Sequence, residues 1–144
     1  MANVIPDSFK TDLLKGTFNF DSSGGSTFKL ALYTDISGLT TSTTAFTATN
    51  EVSTSGTNYS SGGNALTNNG VAISSNIAFV DFADLTFSSV TLSAVGALIY
   101  KSSSGNEAVL VLDFGGTKTA TNGDFVVQFP TASNSAAIIR LGNA

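Results

Sequence analysis

Asp81 and Asp84 stand three residues apart around a short break between apolar segments. Two carboxylates at that spacing could act as a pair or hold Ca²⁺ through oxygen ligands. Asp113 could join them if its strand ran alongside. The competing reading is turn capping, in which each Asp accepts nearby backbone N–H bonds. Asp113-Phe114-Gly115 has the letters of the kinase magnesium triplet. None of the other kinase segments accompanies it, so it reads as a strand end before a glycine turn. Asn58-Tyr59-Ser60 is a glycosylation sequon in form only, because no secretory leader accompanies it. The pairs Gly24-Gly25, Gly62-Gly63 and Gly115-Gly116 lack the Gly-Lys-Ser/Thr ending of a phosphate loop and read as turns.

The sequence has no His and no Cys. That removes the commonest general base, the commonest neutral metal ligand and all thiolate chemistry. A Gly-x-Ser-x-Gly elbow is also missing. The expectation is a chain that is not an enzyme, with no catalytic residue, no cofactor and no metal. Ten acids against six bases give a net charge of −4. Lys10, Lys15, Lys29, Lys101, Lys118 and Arg140 form no run, so nucleic acid is not an expected partner. Met1-Ala2-Asn3-Val4-Ile5-Pro6 has neither the basic nor the apolar region of a signal peptide. No window approaches the roughly 18 apolar residues of a membrane span. The expectation is a protein made soluble in the cytoplasm, with no membrane partner.

Positioning elements must come from a chain of 144 residues, a length suited to one domain. Leu, Ile, Val and Phe number 40, enough for a core. Charged residues are only 11%, below the roughly 25% of ordinary domains. The 39 Ser and Thr residues supply the missing polarity and suit strand faces and turns.

One helix is expected, at the start. Asp7 or Ser8 can cap it, Phe9 and Leu13 share a face, and Gly16 is placed to stop it. So short a helix must dock through Phe9, Leu13 and Leu14. Period-two patterning then predicts strands at Thr17–Phe20 and Thr27–Thr34, the second half-buried. Asp35–Asn64 is rich in Ser, Thr, Gly and Asn, and thirty residues without periodicity is long for a loop. It reads either as a disordered linker or as an excursion ordered by contact with a partner. Phe46, Val52 and Tyr59 are anchors that favour the second reading.

Further on, Ala65–Thr67, Val71–Ser74, Ile77–Phe82 and Leu85–Phe87 are short candidates. Thr91–Tyr100 and Ala108–Phe114 read as central strands joined by the Ser102–Asn106 hairpin loop. Thr117–Thr121 and Asp124–Phe129 predict a second hairpin with Asn122-Gly123 at its tip. Ala136–Leu141 is a last strand. Roughly ten strands predict an all-β, single-domain antiparallel β-sandwich, jelly-roll-like, with a short N-terminal helix. Residues 1–144 form the domain, with 1–16 a helical arm and 35–64 the long excursion.

Six segments stand in a fixed order over nearly the whole chain: Pro6–Leu14, Thr27–Thr34, Thr49–Val52, Tyr59–Leu66, Asp81–Phe87 and Gly96–Tyr100. In that order they resemble a family of small virion structural proteins of tailed phages, some of them capsid decoration (cement) proteins. The family's usual aromatic after the Asp81–Asp84 segment is Trp; here it is Phe87. The resemblance implies a capsid-surface location in the virion and self-association, as homotrimers at threefold positions. It also implies a clamp on neighbouring major capsid proteins, and it carries no catalytic residue. Phe9, Leu13, Phe46, Val52 and Tyr59 are the candidate interface residues, with core packing as the competing reading for each. The alternative function is a tail or fibre β-domain that binds host surface glycans.

Overall fold

The computed structural model describes residues 2–143. Helix α1 spans Asp7–Leu14, and Gly16 takes the left-handed conformation that ends it. Its N-cap is Pro6, without a side-chain cap; the Ser8 hydroxyl instead donates to the Thr43 carbonyl. The expected Asp7 or Ser8 cap is therefore absent, because Ser8 is already engaged with the excursion. Phe9 is buried and Leu13 half-buried, but Leu14 is exposed, so two of the three expected contacts dock the helix.

Seven strands follow: β1 (Phe28–Tyr33), β2 (Asn64–Ala65), β3 (Asn68–Ser74), β4 (Ile77–Phe82), β5 (Leu85–Lys101), β6 (Ala108–Val127) and β7 (Ile139–Leu141). They form two antiparallel sheets, in orders β2-β1-β5-β6 and β3-β4-β7. Among the described residues the fold is thus an all-β sandwich with one short helix, built from seven strands rather than about ten.

Strand merging accounts for the lower number. Leu85–Phe87 and Thr91–Tyr100 belong to one strand, β5, and both predicted arms around Asn122-Gly123 belong to β6. Asn122 has φ 47, but Gly123 does not share the left-handed geometry a type I′ turn needs at both positions. The pairs Leu92↔Ala120 and Val90↔Gly123 continue on the same partner strand, so Asn122 is the extra residue of a bulge. Gly115-Gly116 lies in a second bulge, between Ala94↔Lys118 and Gly96↔Asp113. The true type I′ turn is Ser75-Asn76 (φ 50 and 64), closed by the pair Ser74↔Ile77. Thr17–Phe20 makes no strand; it stays outside the sheets, with Phe18 and Phe20 buried.

Two cores result, one on each face of β1. Phe28, Leu30 and Leu32 face the larger one, with Val80, Phe82 and Ile139 from the second sheet and Phe9, Phe18 and Phe20 from the chain start. The Phe20 and Phe28 rings stack at 4.7 Å, and Phe82 meets Phe28 edge-on at 5.5 Å. Burying each such ring contributes about 1.5–3 kcal/mol. Ala31 and Tyr33 face the smaller core, with Leu98, Tyr100 and Val111. β1 is therefore covered on both faces rather than half-buried, because the excursion forms the second cover.

That cover is the segment read as linker or partner-ordered arm. Its own Ile36 and Leu39 are buried in the smaller core, and Phe46 packs against that core from its margin. Bridges Tyr33↔Glu51 and Ala45↔Glu107 stitch it to β1 and to the start of β6. It is ordered by the chain's own sheet.

Candidate functional site

The carboxylates at the expected sites are held separately. Asp81 Oδ2 accepts from the Asn69 amide at 2.8 Å, on the β3 side. Asp84 Oδ1 accepts from the Phe129 N–H at 2.8 Å, just past β6. Each bonds across strands, neither capping its own turn nor facing the other's partner. Asp113 Oδ1 accepts from the Gly115 N–H at 2.8 Å, which holds its carboxyl below the usual range. Among the described residues no three His, Cys, Asp or Glu side chains gather as a metal site. Asn58, the sequon residue, donates to the Ser88 and Ser89 carbonyls and ties the excursion to a bulge in β5.

The densest polar cluster lies elsewhere, around Glu51. Its Oε1 accepts from the Tyr59 hydroxyl at 2.8 Å and from the Gly62 N–H at 2.6 Å; its Oε2 accepts from the Ser61 hydroxyl at 2.9 Å. Tyr59 in turn accepts from the Leu32 N–H at 2.9 Å, so one phenol links β1 to the acid. Tyr100 donates to the Gly62 carbonyl and Tyr33 to the Thr47 carbonyl, both at 2.7 Å. All three tyrosines of the chain thus pin the excursion to the sheet.

Burial is the first cause that pushes these phenols above their ordinary ionisation range, and the Glu51 charge adds to it. They stay neutral and spend their hydroxyls on internal bonds. Their convergence is absent from the local sequence pattern; only the scarcity of Tyr could have drawn attention to it.

The five candidate interface residues do not form one surface. Phe9, Val52 and Tyr59 lie in the larger core, and Leu13 packs at its margin. Phe46 belongs to the smaller core, its ring stacked on Tyr100 at 4.9 Å. Phe9 sits 4.9 Å from Phe18 and is 2% exposed. Phe9, Val52 and Tyr59 are thus spent on the chain's own packing, whereas Leu13 and Phe46 are half-buried at the margins of the two cores.

What remains available is a surface poor in charge. Beyond β1, the outer ribbon of β5 and β6 exposes Thr86, Ser88, Thr91, Ser93, Thr119 and Thr121 on the side away from the core. The Ser93 and Thr119 hydroxyls bond across it at 2.8 Å. Two adjoining depressions of about 400 and 370 Å³ run along β6 and share Phe114, Val127 and Gln128. On the second sheet, Val71 and Ile73 of β3 and Leu141 of β7 are 53%, 74% and 62% exposed. They continue the core-facing side of that sheet, since Val71 pairs with Val80, and Ala78 pairs with both Ile73 and Leu141. A small apolar groove follows them down to Leu13 and Phe20. Comparison with protein-family models, curated proteins and solved structures returns no match to this chain.

Proposed function

We propose that the chain is a virion structural protein of a tailed phage, acting as a capsid decoration protein that stabilises the head by bridging major capsid proteins. The observation that carries the structural role is the way polar chemistry is spent. Tyr33, Tyr59, Tyr100 and Glu51 all serve to fasten one segment to one sheet. Outside that node the surface offers Ser, Thr and apolar side chains with little charge, a composition suited to broad protein contact. The assignment to the phage head rests on the order of the six motifs from Pro6 to Tyr100.

In mechanism, such a protein adds fixed contact area across capsomer joints, and its own rigidity resists the outward pressure of packaged DNA. A homotrimer at threefold positions is the assembly the resemblance implies. The glycan-binding alternative needs exposed aromatic faces. The tyrosines are at most 3% exposed and Trp is absent, which weighs against it. Immuno-electron microscopy of the virion tests the proposal. Labelling over the head, with heads lacking the protein losing heat and salt resistance, is the expected result. Labelling on the tail, or heads of unchanged resistance, would overturn it.

A further inference from the structure

The sandwich has several strand edges, and most are protected by recognised means. β2 is two residues long, and β7 is three, with Arg140 at its centre. β6 is bridged at Val111 by Val4, through bonds of 2.8 and 2.9 Å. Its open stretch is broken by bulges and carries Lys118 and Asp124.

The outer edge of β3 differs. From Asn68 to Ser74 it holds no charged residue and no proline, and Val71–Ser74 is exposed throughout. No further backbone bond to Val71–Ser74 occurs outside the β3–β4 ladder among the described residues. The Ser75-Asn76 turn also fixes which groups point outward. A two-residue hairpin closes on a hydrogen-bonded pair, here Ser74↔Ile77, and such pairs alternate along an antiparallel ladder. Val71 and Ile73 are therefore the residues whose N–H and C=O groups face away from β4. Their side chains are also the exposed apolar ones.

We infer that β3 is a self-association edge that pairs antiparallel with β3 of a second copy. A twofold axis through Ala72 sets Val71 of each copy opposite Ile73 of the other. Each of these pairs then exchanges both of its N–H···O bonds. Self-pairing sets identical strands against each other, so any charge on the strand would tend to meet its own kind. β3 carries none, which is why a second copy fits it. The apolar side formed by Val71, Ile73 and Leu141 becomes continuous across the joint. The contact is twofold and separate from the trimer considered above, which is an arrangement on the capsid and not of the free chain, and it does not depend on the virion assignment.

Light scattering of the purified full chain tests it. The expected mass is twice 14.7 kDa for the native protein. Ile73→Lys and Val71→Pro are expected to give 14.7 kDa with an unchanged circular dichroism spectrum. The first places a charge against the opposing strand; the second removes an outward N–H and leaves the bonds to β4 in place. Native protein that stays at 14.7 kDa up to its solubility limit would overturn the inference. So would an oligomer whose mass both substitutions leave unchanged.

Discussion

The Tyr59 hydroxyl stands between the Leu32 backbone N–H, 2.9 Å away, and the Glu51 carboxylate, 2.8 Å away, accepting from one and donating to the other. Removing that oxygen leaves a buried N–H on β1 without a partner. Tyr59→Phe is expected to cost about 1–3 kcal/mol, most of it the penalty for the orphaned donor. The measurement is a urea midpoint that falls while the slope stays the same.

Alkaline stability should report the same node. A free phenol ionises at about pH 10, and all three tyrosines are pushed above that in the fold, by burial first and then by Glu51. Above pH 10 the unfolded chain therefore loses protons that the folded chain keeps. Folding stability is full below that pH and declines as pH rises through it. A melting temperature that drops steeply above pH 10, with tyrosinate absorbance appearing only on unfolding, is the expected result. Tyrosinate absorbance growing in the folded protein near pH 10 would contradict it.

Gly63 has φ 74, and a Cβ built on it would run into the Leu30 carbonyl. Gly16 has a similar φ of 80 but open space around it. Gly16→Ala should cost only left-handed strain, about 1–2 kcal/mol. Gly63→Ala should cost more, about 3 kcal/mol or above, because the β1–β2 junction must also move. Paired denaturation curves compare the two directly.

Phe9 and Leu14 separate docking from exposure on one short helix. Phe9→Ala removes a ring packed on Phe18 and Phe20 and is expected to cost about 3–5 kcal/mol. Leu14 is 85% exposed, so Leu14→Ala should fall within about 0.5 kcal/mol of the native protein. Equal effects would mean that the helix is not held by its Phe9 face.

The helix, β1, the central halves of β5 and β6 and the loop between them are legible from local pattern. The hairpin predicted at Asn122-Gly123 is not borne out, because the same residue types serve turns and bulges. Only the partner strand decides which forms, and here β5 continues past both glycine sites of β6. The excursion is illegible for another reason. Ile36, Leu39, Phe46, Val52 and Tyr59 follow no period, since each fits a separate gap over a sheet made of distant residues. Glu51 stood inside the Thr49–Val52 segment without any sign of its role, which exists only once β1 and Tyr59 meet. The exposed edge of β3 depends on what fails to pair with it, which a sequence pattern does not record.

The hairpin of β5 and β6 also sets the order in which the chain can assemble. Only residues 102–107 separate Lys101 from Ala108, whereas residues 34–95 must be looped out before Tyr33 reaches Gly96. The entropy of closing the longer loop is greater by about 2 kcal/mol. The two long strands can therefore zip together from their loop while β1 is still searching for its register. Until β1 arrives, Tyr59 has no Leu32 amide to accept from, and the excursion has only its ties to β5 and to the start of β6. The tyrosine node is thus a late latch: it closes on a template already built and records that β1 has found its register on β5.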